Sequence, residues 1–271
     1  MAKQRVLIAV KTYPTLSRTY TELVCTAGFR EDGSWIRIYP SPFRFLNDTQ
    51  RYRKYQWIEL DLAKNPNDNR PESFRPTNID AVELHEAIGT EREWEVRRSL
   101  ILGKNTVHTN LSRIIAAAKS NDMSLAVFKP TDVLDFTAEA VPDQWELSKR
   151  EAAQASLDQG SLFDENDRSD FKIMPKLPWK FRYRFVDDEG KESTLMIEDW
   201  EVGQLYWNCL KTRTPDQAVA SVRQKYFDDF AKTKDLHFFL GTTREWHQKA
   251  PNPYVIIGTF HPPFQKQIPL F

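Results

Sequence analysis

The chain has 271 residues, with 38 Lys and Arg against 38 Asp and Glu for a formal net charge of zero, and is 40% hydrophobic and 13% aromatic. That balance excludes a protein that coats nucleic acid through bulk positive charge, and the apolar content excludes a chain too polar to fold. The length allows one large domain or two small ones, and two are expected.

In chain order, MAKQRVLIAVKTYP holds an apolar run too short for a signal peptide or a membrane span, and RVLIAV, Arg5 to Val10, reads as a buried strand. ELVCTAGF and SWIRIYP form a hairpin around Asp32-Gly33, where glycine supplies the positive φ of a tight turn. QWIELDL, Gln56 to Leu62, is a further strand, and the Pro- and Asn-rich segment after it is loop. Short strands with turn signals between them predict a small β-barrel or sandwich. Helices follow: Thr90 and Glu93 have capping-box spacing ahead of WEVRRSLIL, and Asn110 is placed to cap LSRIIAAAK. SLAVFKP returns to strand.

Between 141 and 175 the apolar pattern fades into Asp, Glu, Gln, Ser and Pro, which predicts an acidic, exposed connector. Residues 143–170 hold eight acids against three bases, whereas residues 1–56 hold ten bases against four acids, so the two segments are expected to have separate tasks. Beyond the connector, Trp179, Phe181, Tyr183 and Phe185 alternate with Lys180, Arg182 and Arg184, giving a strand with one aromatic and one basic face. EDWEVGQLYWNCLK reads as helix, and Thr214-Pro215-Asp216 starts another, with Val219, Val222, Tyr226, Phe227 and Phe230 on one stripe. LHFFLGT and YVIIGTF close the section as strands. The expected fold class is α+β. It divides into a β-rich section followed by helices at 1–140, the connector at 141–175, a second section with antiparallel strands at 176–264, and a terminal peptide at 265–271.

Arg37, Arg44, Arg51, Arg53 and Lys54 are interleaved with Trp35, Tyr39, Phe43, Tyr52, Tyr55 and Trp57. Cations neutralise phosphates and flat rings stack on bases, so this mixture predicts nucleic-acid binding, through Trp35, Tyr39 and Tyr52 among the aromatics. The basic face of residues 180–184 is a second candidate. Aromatics in strands are more often core, and that alternative stands beside the first.

Two pentapeptides share a form: QIPLF, Gln267 to Phe271, and QGSLF, Gln159 to Phe163. Leu and Phe close together can fill one apolar pocket while Gln fixes the direction of entry. Both resemble the bacterial sliding-clamp-binding motif of Gln, aliphatic, Ser or Asp, Leu, Phe. Gln267, Ile268, Leu270 and Phe271 fit it and Pro269 departs from it; Gln159, Ser161, Leu162 and Phe163 fit it and Gly160 departs from it. The resemblance implies a bacterial protein that docks on a replication or repair factor such as the clamp.

Phosphate-binding glycine loops, nucleophile elbows and His-Glu-x-x-His patterns are absent from the sequence. Cys25 and Cys209 lack metal-ligand spacing, and free thiols in a cytoplasmic protein are expected. Asp199, Glu201, His237 and His261 are the weak catalytic candidates, since carboxylates with a histidine suit a divalent metal. Acids are equally at home where a helix begins. The leading expectation is a nucleic-acid-associated binding protein, with DNA favoured over RNA and no cofactor. The alternatives are a metal-dependent nuclease using the second section, and a ligand-binding or interaction protein with no DNA role.

Overall fold

The computed structural model describes residues 2–17, 21–41, 43–161 and 172–265. Strands β1 (Ala2–Lys11), β2 (Thr15–Ser17), β3 (Thr21–Phe29), β4 (Trp35–Ser41), β5 (Gln56–Lys64), β6 (Ser73–Pro76) and β7 (Glu83–Ala87) form the first sheet. Five of them run β1-β3-β4-β6-β5 and close through β5 back onto β1, which makes a barrel without free edges. Only the β4–β6 pairing is parallel, and β2 and β7 flank the ring on β3 and β5. Gly33, with φ +89°, makes the β3–β4 turn as its sequence predicts.

Within RVLIAV, Val6 to Val10 are buried because β1 has two partners, while Arg5 is part-exposed. Val6 and Ile8 point into the barrel with Ile36, Ile38, Ile58 and Leu60, while Ala9 and Val10 face the second section. A bulge between Ile8 and Val10 in the β1–β3 pairing makes that change of face possible.

The second section contains α1 (Glu91–Ile101), β8 (Val107–His108), α2 (Leu111–Lys119), β9 (Leu125–Phe128), β10 (Asp132–Ala140), α3 (Leu147–Ser161), β11 (Trp179–Val186), β12 (Glu192–Met196), α4 (Trp200–Leu210), α5 (Pro215–Arg223), β13 (His237–Thr242) and β14 (Tyr254–Phe260). β10, β11 and β12 form an antiparallel sheet, and β14, β13, β9 and β8 a second sheet that is antiparallel except for its parallel β8–β9 pair. Phe181, Tyr183 and Phe185 turn inward with Phe136, Tyr206, Tyr226 and Phe238, as the alternation in β11 predicts. The α+β class, the barrel and the antiparallel second section are as expected.

β9 pairs with β13 and β10 with β11, while β8 pairs with β9, so among the described residues the sheets divide near the end of β7. Two local expectations are corrected. The segment read as an exposed connector contains α3, which buries Ala153 and Leu157 and bonds Ser156 Oγ to Thr21 Oγ1 at 2.8 Å. Thr90 makes no side-chain cap, because Arg92, Glu93 and Trp94 take left-handed backbone angles at φ +48°, +56° and +66°. Asn110 and Thr214 do cap their helices, accepting from the Arg113 and Gln217 N–H groups.

Barrel and second section share a core in which Val10, Ala27, Phe29 and Tyr55 meet Leu125, Val127, Phe239 and Phe260. A buried polar cluster joins them as well. Arg37 donates to Ser124 Oγ at 2.7 Å, Arg70 bonds both Asp68 and the Thr242 carbonyl, and Glu72 accepts from Ser124. No described helix is long and apolar enough to cross a membrane.

Candidate functional site

Where the barrel meets α1, α4 and α5 lies a cavity of about 760 Å³ lined by Lys54, Tyr55, Trp94, Arg97, Glu201, Leu205, Cys209, Arg213, Ser221, Gln224, Lys225, Tyr226, Asp229, Phe230 and His261. Its walls come from irregular backbone. Tyr55, a bulky residue, sits at φ +62° just before β5, and Trp94 ends the left-handed turn that opens α1. Across the cavity, α5 continues into a π-helix, Gln224–Ala231, that presents Gln224, Lys225, Tyr226, Asp229 and Phe230. Such departures cost free energy and concentrate at functional sites.

Aromatic rings line the cavity in contact. His261 stacks on Phe230 with centroids 3.5 Å apart and planes 17° apart, and Trp94 meets His261 edge-on at 5.3 Å. The Arg97 guanidinium lies 3.9 Å from the Tyr55 ring centre and 4.9 Å from that of Trp94, held there by two bonds to the Ile88 carbonyl. Four cationic side chains, Lys54, Arg97, Arg213 and Lys225, face two anionic ones, Glu201 and Asp229, so the lining carries a positive excess.

Lys54, Asp199 and Glu201 form the charged floor. Asp199 caps α4 by accepting from the Glu201 N–H at 3.2 Å, and is 1% exposed. Lys54 Nζ lies 3.3 Å from Asp199 Oδ2 and 2.9 Å from Glu201 Oε2. Burial works against the Lys54 ammonium, yet the two carboxylates outweigh it and hold its pKa above the ordinary lysine range. Burial pushes Asp199 up to about 6 despite the pull of Lys54, and the Lys54 charge lowers Glu201. Burial brings His261 down to about 3, so its imidazole is neutral at physiological pH. Behind the floor, Lys11 Nζ sits 4.3 Å over the Phe43 ring, and burial lowers it to about 8.

Of the catalytic candidates, the structure gathers Asp199, Glu201 and His261 but leaves His237 apart, its Nδ1 2.9 Å from the Asp235 carbonyl. The gathered groups do not fit a divalent cation, because the Lys54 ammonium already bridges both carboxylates. Among the described residues, Glu59, Glu83 and His85 have ligand atoms within 4.8 Å of one another, but Lys3 and the Glu59–His85 contact satisfy them.

The predicted basic-aromatic surface is mostly interior. Arg37 is 1% exposed and bonded within the polar cluster, and Tyr52 is buried with its hydroxyl on Thr26 Oγ1 and Ser41 Oγ. Trp35 packs 4.0 Å from Phe29, and Tyr39 is half-buried. Arg44 pairs with buried Glu22 at 2.6 Å, while Arg51 and Arg53 are exposed. Lys54 belongs to the floor. In the second basic face, Arg182 pairs with Glu139 and Arg184 with Glu192. Gln267, Ile268, Leu270, Phe271, Leu162 and Phe163 lie outside the described residues, and of Gln159 only the backbone, within α3, is described. Trp94, Arg97 and Phe230 read in the sequence as ordinary helix positions, in WEVRR and the Phe230 stripe, and Arg213 stands in the turn before Thr214-Pro215, so none of them marks a binding residue there. No local pattern marks a left-handed turn or a π-helix.

Residues 2–103 match the family model described as Domain of unknown function (DUF8758), and residues 107–271 match that described as Domain of unknown function (DUF8757). No curated protein matches. A solved structure titled "Structure of murine DNA binding protein bound with ds DNA" is similar at 10% identity over 99% of each chain, with a TM-score of 0.30.

Proposed function

The chain belongs to the family described as Domain of unknown function (DUF8757), and from the geometry of its cavity we propose that it is a nucleic-acid-associated binding protein that takes an unstacked base between aromatic walls. The observation that carries this reading is the cavity itself, where Trp94, Tyr55, Phe230 and His261 stand beside an excess of cations. Bases stack on aromatic faces and on guanidinium planes, and Arg97 supplies such a plane against Tyr55 and Trp94. Arg213 on the cavity lining would take a flanking phosphate, and Lys225 would do so by exchanging its 2.6 Å pair with Asp229. DNA is favoured because the glutamine-led peptides resemble a replication-clamp ligand, and docking on that clamp through residues 267–271 is part of the proposal. The bridging of Asp199 and Glu201 by Lys54 supports binding over metal-dependent cleavage.

Titration with short single-stranded and duplex oligonucleotides across a salt series tests the reading. Affinity is expected to fall steeply with salt, and Trp94→Ala to cost about 1–3 kcal/mol of binding through lost stacking. No binding to either form at low salt would overturn it.

A further inference from the structure

Lys54 has three ammonium protons and three acceptors in reach: Glu201 Oε2 at 2.9 Å, Asp199 Oδ2 at 3.3 Å and the Thr259 carbonyl at 3.5 Å. Its donors are occupied within the protein. Glu201 differs. Its Oε2 is taken by Lys54, but its Oε1 accepts no hydrogen bond among the described residues, and the side chain is 50% exposed at the cavity wall. Lys54 keeps that carboxylate ionised, so the open oxygen is an acceptor and not a donor at neutral pH. The position is fixed on both sides, since the Glu201 backbone N–H is tied to Asp199 and the carboxylate is tied to Lys54.

Building on the nucleic-acid reading of the same cavity, we infer that Glu201 reads the edge of the entering ring and selects an amino-bearing base (cytosine, adenine or guanine) over uracil and thymine. An N–H of an exocyclic amine opposite the open oxygen forms a charge-assisted hydrogen bond, the pairing through which carboxylates recognise the cytosine amine. Uracil and thymine carry carbonyl oxygens on both sides of their one ring N–H on that edge. An oxygen facing Glu201 sets acceptor against acceptor and leaves both unsatisfied. Trp94, part-exposed, offers a π-face that every base can use, while Tyr55 and Phe230 are buried with Arg97 and His261 stacked on them, so the wall supplies affinity while Glu201 supplies the choice.

The test is calorimetric titration of the full-length protein with CMP, AMP, GMP and UMP, and separately with thymidine oligonucleotides carrying one central C, A, G or T. Amino-bearing bases are expected to bind about tenfold or more tightly than UMP or the all-thymidine strand. Glu201→Gln, whose amide both donates and accepts, is expected to remove most of that difference while circular dichroism shows that the fold is retained. Discrimination among the oligonucleotides alone supports the inference with a base in a strand as the ligand; discrimination among the mononucleotides alone supports it with a free nucleotide. Equal affinities in the wild-type protein, or discrimination that survives Glu201→Gln, overturn the inference while the cavity's binding role stands. Failure of every nucleotide and oligonucleotide to bind removes the binding role itself.

Discussion

Lys54 Nζ stands 2.9 Å from Glu201 Oε2, joining the approach to β5 with the first turn of α4 across 147 positions of sequence. Asp199, on the same lysine, is the N-cap of that helix, and Thr12 at the end of β1 bridges to it through the backbone. One cation thus ties the barrel to the second section beside the cavity.

Lys54→Ala leaves Asp199 buried without its counter-charge. The loss of stability is expected to be about 3–5 kcal/mol, the cost of breaking a buried ion pair from one side. Urea denaturation at neutral pH measures it, and a change below about 1 kcal/mol would mean that water reaches Asp199 freely.

His261 makes stability depend on pH in a defined window. Its folded pKa of about 3 lies below the ordinary 6.5, so between those values the unfolded chain takes up a proton that the folded chain does not. Stability attributable to His261 is therefore full above about pH 6.5 and is lost as pH falls toward 3. His237, held down to about 4 by burial, acts in the same direction. Urea midpoints at pH 7 and pH 4.5 should differ less in His261→Gln than in the wild-type protein, and an identical difference would show that the imidazole titrates normally.

Arg37 was placed by its sequence on a nucleic-acid surface and by the fold inside the protein, and the two roles separate experimentally. Arg37→Ala opens Ser124 and the polar cluster, with an expected loss on the order of 3 kcal/mol in chemical denaturation. Arg53, exposed, should change stability by less than about 0.5 kcal/mol when replaced by Ala. Similar stability losses in the two variants would contradict this placement.

The terminal peptide has its own test. A pull-down of bacterial sliding clamp by the full chain should be lost when residues 265–271 are deleted, and weakened by Leu270→Ala with Phe271→Ala, because the two apolar side chains are the pocket-filling groups. Retention of the clamp by both variants would locate docking elsewhere, and no capture by the full chain would exclude it.

Local pattern alone determined much of the architecture. Alternation set the faces of β11, the Asp32-Gly33 turn set the first hairpin, and Asn110 and Thr214 marked two helix starts, because each depends on neighbours a few positions apart. The site was only partly legible. Asp199, Glu201 and His261 drew notice by residue type, but Lys54 read as a surface cation, and nothing local joined it to them. Trp35, Arg37 and Tyr52 read as a basic-aromatic surface because a strand pattern does not say whether its faces meet water or a second sheet. Closure of the barrel and its packing against β9 and β13 decided that. The cavity came from tertiary structure for the same reason: burial and charge pairing are sums over distant segments, and they override what the immediate sequence prefers.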